Sequence, residues 1–140
     1  MPHSLPAFTA QDALIAIMMM VSVSDENIRN SELIAIERQV NHLPVFASYD
    51  VGQLQDVAQT IYRLVQEEDG LDTLFAMVRD ALPERLWETA YALACEVASA
   101  SGTLDQAELR LLEEIREELN IDRLHAAAIE RGARARHLTL

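Results

Sequence analysis

Residues 13–21 read ALIAIMMMV, nine apolar side chains in a row, and they constrain this chain more than any other stretch. A helix apolar all round has no face to offer water, so it must sit inside a layer of other elements. The run is too short for a membrane span, which takes about 20 residues. Asp12 precedes it, and Asp25 and Glu26 follow soon after. No basic stretch stands before it to make it a signal peptide. The chain therefore reads as soluble, not as an integral membrane protein, with Met18, Met19 and Met20 pointing different ways into a core.

The other segments supply the surrounding layer. Thr9 offers an N-cap for a first helix running to about Ser24. In NSELIAIERQVNHL, residues Leu33, Ile36, Val40 and Leu43 recur at helical spacing until Pro44, so this amphipathic second helix should pack on the first. A third helix is expected from about Asp50 to Glu67, with Leu54, Val57, Ile61, Leu64 and Val65 on one face and the glycine of EEDG ending it. A fourth follows in LDTLFAMVRDAL. Pro83 suits the N1 position of a fifth, which carries Leu86, Trp87, Ala90, Leu93, Ala94 and Val97 and ends near Ser101 and Gly102. In the sixth, Asp105 and Glu108 are spaced as a capping box, and a seventh runs from about Asp122 to Arg136. With short connections throughout, the fold class is all-α: a bundle of about seven helices. At 140 residues it forms one domain, from 9 to 136, behind an irregular leader of residues 1–8 with two prolines and ahead of a tail at 137–140.

The chain also contains a second copy of its own opening. Residues 93–121 align with 17–45 at an offset of 76 (108 − 32), which pairs Glu108 with Glu32. The same offset pairs Val97 with Val21, Leu104 with Ile28, Leu112 with Ile36 and Leu119 with Leu43. Helix, polar turn, apolar plug, glutamate, helix: such duplication suggests two helical hairpins related by a pseudo-twofold.

The first polar turn, SDENIRNSE, has the look of a cation loop. In an EF-hand an apolar residue at position 8 precedes a bidentate glutamate at position 12, with oxygen ligands at positions 1, 3 and 5. Ile28, Glu32 and Asp25 fit positions 8, 12 and 5, but positions 1 and 3 fall on Val21 and Val23, which cannot ligate. The second copy offers Val97, Ser99 and Ser101, so neither unit is an EF-hand. A simpler divalent-cation site stays open, with hard oxygens from Asp25 and Glu32, and Asn27 and backbone carbonyls filling in. The competing reading is a plain turn: Asn30 or Ser31 caps the second helix, Glu32 complements its dipole, and Ile28 plugs the hairpin. Glu108 is likewise explained by its capping box.

These repeated motifs, SVSDENIRNSEL and ASASGTLDQAELRLL, resemble the TerB-like family, the tellurite-resistance TerB proteins, whose fold also occurs in the N-terminal region of a DnaJ-type co-chaperone. The family's mark is an apolar helix ending in Ala-x-Ala-Asp-Gly, then an apolar residue, then a glutamate opening the next helix. The resemblance covers roughly residues 10–125. It implies an intracellular bundle of about seven helices, a link to tellurite or other chemical stress, and metal chelation at acidic positions, here Asp25, Glu32 and Glu108. This chain departs from the mark in two places: Glu26 stands where glycine follows Asp25, and Ser101 stands before Gly102.

Composition narrows the function classes. The net charge of −12 opposes nucleic acid and anionic membranes and favours cations or a protein partner with a basic face. A homodimer is one compatible assembly. Cys95 is the only cysteine and sits in the apolar run ALACEVA, as an inert core thiol would; its solitude suits a reducing, cytoplasmic setting. His3, His42, His125 and His137 have no metal-ligand spacing, and no phosphate loop, CxxC, HExxH or Glu-x-x-His pair occurs. The expectation is a non-enzymatic module. His42 reads as a helix C-terminal charge, and so does the cluster of Arg131, Arg134, Arg136 and His137 ahead of a frayed tail. The acidic run EEIREEL reads as a solvated face carrying an Arg110–Glu114 pair, or as a docking strip for a basic partner.

Overall fold

Thr9 opens the first helix, as its sequence position predicts. Its Oγ1 accepts the Asp12 N–H at 3.0 Å while Asp12 Oδ2 accepts the Thr9 N–H at 3.1 Å, a reciprocal capping box. The computed structural model describes residues 8–23, 30–100, 102 and 104–140. Helix α1 spans Ala10–Ser22, and every residue from Ala13 to Ser22 is buried, the three methionines included. The one polar side chain at its end, Ser22, is satisfied by donating to the Met18 carbonyl at 3.2 Å.

Six further α-helices surround this axis among the described residues: α2 Asn30–His42, α3 Leu54–Gln66, α4 Gly70–Ala81, α5 Trp87–Ser99, α6 Gln106–Glu118 and α7 Arg123–Arg136. No strand occurs among the described residues, so the all-α expectation holds. Helix α1 packs against each of α2 to α6, and α5 is a second hub that holds α1, α2, α6 and α7.

The junctions carry most of the departures from expectation. Pro44 does stop α2, and it opens a 3-10 turn at Pro44–Phe46. Gln11 pins that corner to the start of α1 by donating from Nε2 to the carbonyls of Val45 at 3.1 Å and Ala47 at 3.3 Å. The expected third helix begins instead as a 3-10 turn at Val51–Gln53, because Asp50 Oδ1 captures the Gly52 N–H at 2.9 Å and holds the chain in a tight turn. Gly70 does not end α3. Asp69 takes the left-handed conformation there, at φ 60°, and Gly70 is the first residue of α4. Pro83 is not the N1 residue of α5: it precedes a 3-10 turn at Glu84–Leu86, and α5 starts only at Trp87, whose Nε1 donates to the Leu82 carbonyl at 3.0 Å. The end of α6 is a Schellman motif, with Asn120 at φ 50°, its N–H on the Glu117 carbonyl at 3.1 Å and the Ile121 N–H on the Arg116 carbonyl at 3.0 Å.

Where α7 begins, Asp122 Oδ2 accepts the N–H groups of Leu124 and His125 at 3.0 and 3.1 Å. His125 Nδ1 then lies 2.6 Å from Glu88 Oε2 on α5. The Glu88 carboxylate holds this imidazole above its ordinary 6.5, with Asp122 adding to the effect. The pair's small contribution to the docking of α7 is therefore complete below pH 6.5 and is lost as pH rises through the elevated value. An NMR titration of the His125 ring should give a midpoint above 6.5 that falls back toward 6.5 in Glu88→Gln. An unchanged midpoint in the variant would assign the shift to something other than Glu88.

Candidate cation site at two buried glutamates

Helices α2 and α6 carry their buried stripes in an unexpected register. On α2 the buried side chains are Glu32, Ala35, Ile36 and Val40; on α6 they are Glu108, Leu111, Leu112 and Ile115, continued by Leu119. The leucine after each glutamate faces outward instead, Leu33 at 39% and Leu109 at 44% exposure. Leu33 was expected on the packed face of its helix and is not there, because its neighbour Glu32 occupies that place on the stripe.

Both glutamates are about 1% exposed. Glutamate is almost never so buried unless something compensates its charge, since moving a carboxylate out of water is strongly unfavourable. A cap or a dipole complement needs no such burial, because an exposed first-turn glutamate serves equally well. Half of the expected capping box is nonetheless present at α6, where Asp105 Oδ1 accepts the Glu108 N–H at 2.8 Å. Each glutamate thus sits at the head of a helix with its carboxylate directed into the protein, a hard oxygen donor suited to a hard cation.

Of the four candidate ligands, Glu32 and Glu108 lie in this arrangement, whereas Asp25 and Asn27 lie outside the described residues. Among the described residues no group of three or more His, Cys, Asp and Glu side chains is placed to hold a metal ion. Glu32 and Glu108 fit the donor chemistry of a cation site, but a complete shell would need the 24–29 turn.

Other titratable groups fall into different roles. Burial pushes the Cys95 thiol up to about 12, so it is uncharged at neutral pH and not an activated nucleophile, as expected. The neighbouring Tyr91 phenol is also raised, by burial and by donating to Glu130 Oε2 at 2.5 Å. The C-terminal basic cluster does more than complement the dipole of α7. Glu96 of α5, only 7% exposed, receives Arg136 Nη1 on Oε1 and lies against His137 Nε2 through Oε2, both at 2.6 Å. The residue placed at the start of a frayed tail is thus an anchor. Sequence reasoning missed Glu96, although it is the only charged side chain in AYALACEVAS and an acid isolated in an apolar run invites a search for its partner. The expected Arg110–Glu114 pair does not form; Arg79 of α4 pairs with Glu118 instead.

A family model described as Tellurite resistance protein TerB matches residues 11–131. The chain belongs to the TerB family. The match runs from the start of α1 into α7 and so takes in all four candidate ligands. No curated protein and no solved structure matched the chain. Membership places it among tellurite-resistance-type modules, in agreement with the resemblance carried by the two acidic turns. No helix among the described residues is long and apolar enough to cross a membrane.

Proposed function

We propose that this TerB-family chain is a non-enzymatic, cytoplasmic stress-response module that binds a divalent cation through Glu32 and Glu108, with Asp25 and Asn27 completing the first turn. The observation that supports this reading is the equal and nearly complete burial of the two glutamates at the heads of α2 and α6, positions that correspond at the 76-residue offset. In this reading the two hairpins are a duplication related by a pseudo-twofold, and each supplies one inward carboxylate. A cation held by these carboxylates would link the heads of α2 and α6, and its binding would tighten the packing of the two hairpins.

The test is calorimetric titration of chelator-stripped protein with calcium, magnesium, manganese and zinc, beside Asp25→Asn/Glu32→Gln and Glu108→Gln. Saturable binding, abolished in the double variant and weakened in Glu108→Gln, is expected, with a rise in melting temperature on loading. No heat with any of the four ions, at unchanged stability, would make the glutamates purely structural.

One observation favours a second reading, a metal-free acidic scaffold. The Glu114 carboxyl is raised by partial burial and by the nearby charges of Glu118, Asp72 and Glu117, so acids crowd one another where α4 meets α6. Such a face would take a protein partner with a basic surface, with affinity that falls as salt rises and no dependence on cation.

A further inference from the structure

Helices α6 and α7 both pack on α5, and between them lies a cleft of about 400 Å³. Its floor is α5, through Tyr91, Cys95 and Ala98; Leu112 of α6 and Ala133 of α7 form the inner walls. Leu104, Leu109 and Leu138 line the mouth while 44%, 44% and 73% exposed, an apolar rim left facing water. The size is within the range of about 300–1,000 Å³ common for small-molecule sites. With its thiol and phenol both held neutral, the floor carries no charge at neutral pH.

The charges lie higher on the walls and are unequally committed. Glu130 accepts the Tyr91 hydroxyl, and His137 is engaged with Glu96. Arg116 on α6 and Arg134 on α7 line the cleft from opposite sides, and neither forms an ion pair among the described residues. Glu113 is the remaining acid of the lining. In a chain of net charge −12 this cleft is therefore a place where positive charge is not outweighed. Guanidinium groups match the planar geometry of a carboxylate, which can accept from such forks in pairs.

We propose that the cleft between α6 and α7 binds an amphipathic aliphatic carboxylate, its hydrocarbon chain over Cys95 and Leu112 and its head group between Arg116 and Arg134. The site is separate from the glutamates at the heads of α2 and α6 in its ligand and in its chemistry. The exposed leucines of the rim become covered on binding, which accounts for apolar side chains at the mouth of a charged cleft.

The experiment uses the full chain labelled with ¹⁵N and titrated with decanoate below its micellar concentration, with decanol and decyltrimethylammonium as matched probes. Decanoate should bind saturably, with amide shifts concentrated in α5, α6 and α7 around the cleft. Arg116→Gln/Arg134→Gln, both at solvent-accessible positions, should weaken decanoate roughly tenfold and leave decanol unchanged. Ala133→Leu, which fills the cleft, should weaken decanoate and decanol alike, with melting curves checking that it is folded. The proposal is overturned if decanoate does not saturate, if decyltrimethylammonium binds as tightly, if the shifts map elsewhere, or if the arginine variant binds decanoate like the parent chain.

Discussion

Leu14→Ala is expected to destabilise the protein by about 2–5 kcal/mol, the range for deleting a fully enclosed leucine and leaving a cavity behind. Leu14 has 0% exposure in the middle of α1, and α1 is the helix against which five others pack, so little can move inward to fill the space. The informative comparison is Leu33→Ala. Apolar spacing alone places Leu33 on the packed face of α2, where truncation would have a cost of similar size. At 39% exposure it should cost under about 1 kcal/mol, since substitutions away from a packed core are mostly mild. Urea unfolding of the two variants beside the parent chain reads both values. Equal losses would restore Leu33 to the core and contradict the register described above.

That pair of leucines shows how far the fold was legible. The nine-residue apolar run had one reading, because an all-round apolar helix of that length must be enclosed, and its burial from Ala13 to Ser22 follows. Helix starts were legible where a side chain and its own backbone settle the matter locally, as at Thr9, Asp105 and Asp122. What sequence reasoning could not see was set by neighbours distant in the chain. The 3-10 turns before α3 and α5 are examples: helical periodicity continues through both, and only the turn hydrogen bonds separate them from the helices they precede.

The candidate site was legible in identity and not in environment. The 76-residue offset and the family motif both singled out Glu32 and Glu108. Their burial was hidden, because a glutamate in a first helical turn reads as a solvated dipole partner and drops out of any hydrophobic pattern. Taking position 32 as polar moved the apparent stripe of α2 onto Leu33. The cleft over α5 had no sequence signal at all: Cys95, Arg116 and Arg134 belong to three different helices, and only the packing of α6 and α7 on α5 brings them to one cavity. Glu96 lies between these cases, marked by its isolation in an apolar run but paired with residues some 40 positions later.

Gly70→Ala should destabilise the protein by about 1–3 kcal/mol, the usual range for overpacking, even though alanine is the better helix former by about 1 kcal/mol. The reason lies outside the helix. A Cβ on Gly70 would lie 1.8 Å from the Leu64 carbonyl oxygen, a backbone atom of α3 that cannot swing aside as a side chain would. Gly70 is needed because two helices approach closely at the α3–α4 corner, while the left-handed turn is made by Asp69. Gly132→Ala provides the matched control. Gly132 lies inside α7 with nothing within 4 Å of an added Cβ, so helix propensity alone acts there and the variant should gain up to about 1 kcal/mol. The same substitution is thus expected to have opposite signs at two glycines of one chain, read as opposite shifts in the unfolding midpoint. If both variants gained stability, the corner between α3 and α4 would have to relax enough to admit a methyl group, and α4 would sit farther from α3 than described.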